Sequence, residues 1–184
     1  MNWTSSEGLL LESALLMSES AKKFALAREI ASTSSYHVPF QTTLNGVAVF
    51  LYMYLSSTFN KKAKLMSRPV KIRVMLYTLL GSMIFTVWLL VRDVANVYHE
   101  KSCDKVAGSI NEEYARGAVE YYTKILQRNV ALRSLLGPDG AKIFTPIGND
   151  SLVFRTKHEP YTARRDASTV QLEKFTPRVA DGSQ

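Results

Sequence analysis

Two long runs without a charged residue dominate the pattern of hydrophobic and polar positions: 38–59 (VPFQTTLNGVAVFLYMYLSSTF) and 74–91 (VMLYTLLGSMIFTVWLLV). As a helix the second run spans about 27 Å, close to the ~30 Å hydrocarbon core of a bilayer. Nothing in it strongly opposes insertion. The first run is weaker, because Gln41, Thr42, Thr43 and Asn45 dilute one end and Ser56, Ser57 and Thr58 the other. Two such runs around a short cationic turn predict a two-span transmembrane helical hairpin, with spans at 38–59 and 74–91 and a basic loop at 60–73.

The flanking segments read as helices of a different kind. Residues 5–31, within an amphipathic helical segment 1–35, set Leu11, Ala14, Leu15, Ala21 and Ala25 against Glu12, Glu19, Lys22, Lys23 and Glu29. The three acids Glu7, Glu12 and Glu19 speak against a secretory signal and against a mitochondrial presequence. After the hairpin, Ser109-Ile-Asn-Glu112 has the form of a capping box, opening a helix that Gly137-Pro138 should stop. Ile110, Tyr114, Ala118, Tyr121, Ile125, Leu132 and Leu136 form its expected apolar stripe, with Glu120 and Lys124 paired outside. Pro138-Asp-Gly140 is expected to be a turn, and 142–145 and 151–157 a short strand pair. The fold class is thus mainly α: the hairpin, the N-terminal amphipathic helix, a small helix-plus-hairpin module at 92–166, and a disordered tail at 167–184.

Charge gives the hairpin a direction. The chain has 184 residues and a net charge of +7. Lys61, Lys62, Lys64, Arg68, Lys71 and Arg73 contribute +6 of it within fourteen residues that hold no acid. Basic short loops stay on the side from which insertion occurs, so 60–73 is expected inside and both flanks on the opposite side. These six residues are the expected topology determinants. A nucleic-acid binder would spread its charge over a folded face with interleaved aromatics, so nucleic acid is not an expected partner.

Chemistry-bearing patterns are sparse. There is no phosphate loop of the form GxxxxGK[ST], no HExxH and no GxSxG. His99 and Cys103 are four apart and could share a helix face, but two ligands do not close a metal site. No catalytic residue, metal site, cofactor or small-molecule substrate is therefore expected. Arg155, Lys157, His158, Arg164 and Arg165 form a candidate partner face for acidic protein or headgroups, with a solvated basic edge as the alternative reading.

Three blocks carry a resemblance: KKFALAREI (22–30), YARGAVEYYTKILQRNVALRSLLGPDGAKIFTPIGN (114–149) and LVFRTKHEPYTARRD (152–166). In this order, with the two apolar runs between the first and second, the chain resembles the transmembrane protein 177 family of animal mitochondria. The resemblance implies a multi-pass inner-membrane protein that acts as a non-enzymatic assembly factor. Its partners would be newly made cytochrome c oxidase subunit II and that subunit's inner-membrane chaperone, with copper-delivery factors nearby. The 60–73 loop would then face the matrix and the C-terminal region the intermembrane space. The family carries no established catalytic residues. Its members are longer at the N-terminus, with another hydrophobic segment there, so a shortened or incomplete form is expected. A membrane tether for ribosome or nucleic acid, acting through the basic segments, is the alternative function.

Overall fold

A computed structural model describes residues 5–151, 155 and 157–175. In chain order the helices are α1 (Ser6–Leu15), α2 (Glu19–Thr33), α3 (His37–Lys62), α4 (Val70–Gly108), α5 (Glu112–Leu135), α6 (Pro138–Ile143) and α7 (Tyr161–Glu173), with a 3₁₀ turn at Leu65–Ser67. The protein is mainly helical. It divides into two units, one built from residues up to 34 and from 97 onward, the other from 35–96.

In the first unit α5 is the hub, touching α1, α2, α6 and α7. Its buried side is Ala115, Ala118, Tyr122, Ile125 and Asn129, spaced three and four apart as one helix face requires. The expected stripe was rotated from this one: Ala118 and Ile125 are buried, but Ile110 and Leu136 are exposed. Small residues explain the difference. Gly117 and Ala118 let α2 approach closely, and the large side chain filling the centre comes from α2 itself, as Phe24. Phe24 meets Tyr121 at 5.7 Å and Tyr122 at 5.9 Å between ring centres, both within the favourable range for tilted and edge contacts.

The N-terminal amphipathic segment is two helices rather than one. Ser18 interrupts it, its hydroxyl accepting from the Ala21 amide as the cap of α2. Glu120 accepts from the Ser18 amide at 3.0 Å and from its hydroxyl at 2.5 Å, and Lys124 donates to the Ser13 carbonyl at 2.7 Å. Glu120 and Lys124 thus reach to the break between α1 and α2 instead of closing an external pair. The Ser18 bonds hold the Glu120 carboxyl below the usual carboxylate range.

Four other expectations need correction. The cap of α5 is Asn111, whose side chain accepts from the Tyr114 amide at 3.0 Å; Ser109 is used up at the end of α4, donating to the Val106 carbonyl. Pro138-Asp-Gly140 opens α6 rather than making a turn, because proline's fixed φ suits the first helical position once Gly137 adopts φ +59°. In place of a strand pair there is an isolated antiparallel bridge between Phe144 and Asp150, and 152–154 and 156 lie outside the described residues. Finally, 167–173 is not tail but the second half of α7, whose first turn is capped from afar: Asn149 accepts from the Thr162 amide at 3.0 Å. The rest of the expected tail, 176–184, lies outside the described residues.

The second unit is α3, the 3₁₀ turn and the start of α4. Contacts pair Gln41 with Asn96, Asn45 with Trp88, and Asn60 with Tyr77. Partner numbers fall on α4 as they rise on α3, so the two helices run antiparallel. α3 buries none of its side chains. Among the described helices, α4 alone is long and apolar enough to cross a membrane by length and composition. The two-span arrangement is therefore supported for one helix only by that measure. α4 also continues far beyond Val91, because the charged residues that end the apolar run include no helix breaker.

Candidate functional site

Two arrangements stand out, one in each unit. In the first, Asp104 near the end of α4 gathers three donors. Arg164 of α7 grips it with two nitrogens, at 2.6 and 2.8 Å, Arg28 of α2 donates at 3.0 Å, and the Tyr122 hydroxyl of α5 at 2.7 Å. Arg164 also stacks 4.8 Å over the Tyr122 ring and lies 3.4 Å from Glu100. Glu100 in turn receives His158 at 2.5 Å and the Glu159 amide at 3.2 Å. One carboxylate thereby ties four helices together, and its neighbour secures the segment before α7.

The electrostatics follow from that geometry. Burial works against the Arg164 charge, but the bonds to Asp104 and the nearby carboxylate of Glu100 outweigh it, and its pKa is raised. Burial, reinforced by the Asp104 charge, also pushes the Tyr122 hydroxyl up, so it stays protonated as a donor. Both groups are fixed in one protonation state. The cluster's chemistry is that of a clasp.

The clasp changes the reading of the basic cluster. Arg164 is 5% exposed and faces inward, so it does not belong to a partner face. Arg165, one residue on, is partly exposed and pairs with Asp166 at 2.8 Å. Lys157 is exposed and Arg155 half-buried, while His158 is engaged by Glu100. Successive helical positions lie about 100° apart, so Arg164 can turn inward while Arg165 stays partly exposed. Composition alone does not distinguish the two.

His99 and Cys103 do meet, with Sγ 3.7 Å from the ring nitrogens and Ser32 Oγ 3.2 Å from Nε2. Among the described residues, no three His, Cys, Asp or Glu side chains converge in a way that could hold a metal.

In the second unit the six basic residues cluster at the turn. Lys61 and Lys62 end α3, Lys64 takes a left-handed backbone at φ +46°, Arg68 follows the 3₁₀ turn, and Lys71 and Arg73 begin α4. All are exposed except Arg73, which is half-buried. Away from the turn, Val47, Phe50, Met53, Tyr54, Met75, Met83, Phe85 and Leu90 are large apolar side chains more than half exposed. Such a contiguous apolar surface marks contact with a membrane or a partner.

Comparison with known proteins places these features in a family. The family profile described as Transmembrane protein 177 matches residues 1–170. Similar curated proteins, all of them Transmembrane protein 177, include those of Rattus norvegicus (35% identical over 99% of this chain and 58% of its own length), Homo sapiens (34%, 91% and 54%) and Mus musculus (36%, 91% and 54%). The chain thus spans little more than half the length of these relatives. No solved structure matches it. With a family match over almost its whole length, the chain belongs to the transmembrane protein 177 family.

Proposed function

We propose that the chain is a non-enzymatic assembly factor of the mitochondrial inner membrane. In this reading it stabilises newly made cytochrome c oxidase subunit II and that subunit's inner-membrane chaperone. The observation that carries it is the uncovered apolar hairpin. α3 buries no side chain, and the most apolar window of α4 is likewise uncovered. In a bilayer, helix association depends on close packing and polar contacts rather than on water exclusion, so such faces suit the spans of a client protein. Gly46 has open space around it, and Gly81 meets only the Tyr52 ring at 3.5 Å.

Both helices act as spans in this proposal. Several of the polar residues that dilute α3 are satisfied inside the unit, although the Ser56 hydroxyl is buried without a hydrogen-bond partner. Gln41 donates to Asn96 at 2.9 Å and Asn45 accepts from Trp88 at 3.0 Å. Thr42, Thr43 and Thr58 donate to carbonyls one turn back on their own helix. Internal bonding removes much of the cost of placing those groups in hydrocarbon. The basic loop then faces the matrix and the region from 92 onward the intermembrane space. The clasped helical unit would stand where the copper-binding head of subunit II emerges, near the copper-delivery factors.

Affinity purification of the tagged chain from detergent-solubilised mitochondria tests the proposal. Pulse-labelled subunit II and its chaperone should both co-purify, and matrix ribosomes should not. Recovery of ribosomal proteins without subunit II would replace the assembly reading with the matrix tether.

A further inference from the structure

The turn between α3 and α4 holds six cations, and among the described residues none of them is in an ion pair. In the other unit Lys23, Arg28, Lys101, Arg116, Lys142, Arg164 and Arg165 have carboxylate partners, whereas others there, such as Lys22 and Lys105, are exposed singly rather than clustered. The difference is not one of exposure alone. Arg73 is half-buried, its Nε is buried without a hydrogen-bond partner, and its Nη1 reaches only the weakly accepting sulfur of Met66, at 3.4 Å. A buried guanidinium donor facing sulfur is a donor that still lacks a proper acceptor.

Beside these cations lies hydrocarbon. A pocket of about 120 Å³ is lined by Phe59, Leu65, Leu76, Leu79, Leu80 and Met83, with the Tyr77 ring. Leu76 and Leu80 follow Arg73 at three and seven residues, placing them on its side of the helix. Leu65, in the 3₁₀ turn between Lys64 and Arg68, is 3% exposed. The same few turns therefore offer cations without counter-charges and an apolar recess next to them.

We propose that this turn is a binding site for an anionic phospholipid: its phosphate meets Arg73 and the neighbouring cations, and an acyl chain enters the recess. A nucleic acid would satisfy the cations and leave the recess unfilled. A zwitterionic lipid would fill the recess while its own cation repelled the cluster. An anionic amphiphile matches both halves. Clusters of four to eight basic residues beside a membrane span attract acidic headgroups in general, and here the geometry adds a place for the chain.

The test uses the full chain in neutral detergent, titrated with fluorescent phosphatidylglycerol and with phosphatidylcholine bearing the same label. Phosphatidylglycerol should bind at least tenfold more tightly. The triple change Arg68→Gln, Lys71→Gln and Arg73→Gln should weaken it about a hundredfold, at about fivefold per cation, and leave phosphatidylcholine unaffected. These side chains hold no carboxylate inside the protein, and an unchanged circular dichroism spectrum verifies the fold. Lys61→Gln, Lys62→Gln and Lys64→Gln form an independent second set with the same expectation. Leu80→Trp, which fills the recess, should weaken phosphatidylglycerol about tenfold with all cations in place. Equal affinity for the two lipids, or no loss in either triple variant, would overturn the proposal. So would displacement of the labelled lipid by inorganic phosphate or transfer RNA at matched charge, since the site would then read charge alone.

Discussion

Asp104→Ala is expected to destabilise the helical unit by about 3–5 kcal/mol, the usual cost of removing one partner from a buried ion pair. Arg164, with 4% of its side chain exposed, and Arg28, with 21%, would both lose their main acceptor. The Tyr122 hydroxyl, on a ring only 1% exposed, would lose its acceptor as well. Unpaired buried charge costs more than the pair contributes, so the effect should exceed that of any surface charge change. Limited proteolysis of the full chain reads it directly: cleavage should appear within α5 and α7 under conditions where the native chain resists. Arg165→Ala is the contrast, because its pair with Asp166 is exposed, and it should stay within about 0.5 kcal/mol. Equal behaviour of the two variants would mean that the clasp does not hold the unit together.

Gly117→Val should be comparably severe, at about 3 kcal/mol, the upper range for overpacking. A Cβ at this position of α5 would run into the Ser20 carbonyl, in the first turn of α2. The obstacle is backbone, so no rotamer change relieves it and the two helices must part. Parting them withdraws Phe24 from Tyr121 and Tyr122 and loosens the Arg28 contact with Asp104. A Cβ at Gly46 meets nothing within 4 Å, so Gly46→Val serves as the matched control. The two variants should differ in thermal midpoint by several degrees. A Gly117→Val chain as stable as the control would show that α2 and α5 do not approach this closely.

What the sequence revealed and what it concealed divide along the range of the interactions. The uncharged runs at 38–59 and 74–91 and the start and stop signals around 109 and 137 are local patterns, so α3, the apolar part of α4 and α5 are legible in the sequence to within a few residues. The break at Ser18 was not, because it depends on Glu120, about a hundred residues away. Likewise the start of α7 at Tyr161 depends on Asn149 rather than on a capping residue beside it. The buried side of α5 differs from the expected stripe because close approach of α2 at Gly117, a contact between segments far apart in sequence, decides which face turns inward. Arg164 and Arg165 look alike in composition, and only Asp104 and Glu100 tell them apart. The six cations of the turn, by contrast, are legible from charge alone, since among the described residues none of them is in an ion pair.

The most direct test of the assembly reading is the lifetime of subunit II. Mitochondrial translation products should be pulse-labelled in cells lacking the protein, with subunit II followed through a chase and compared with subunit I. A partner that binds only the inserted state protects it by mass action. Newly made subunit II and its chaperone should therefore decay severalfold faster than in control cells, subunit I initially should not, and re-expression should restore both. An unchanged lifetime of subunit II and a normal level of its chaperone would contradict the account.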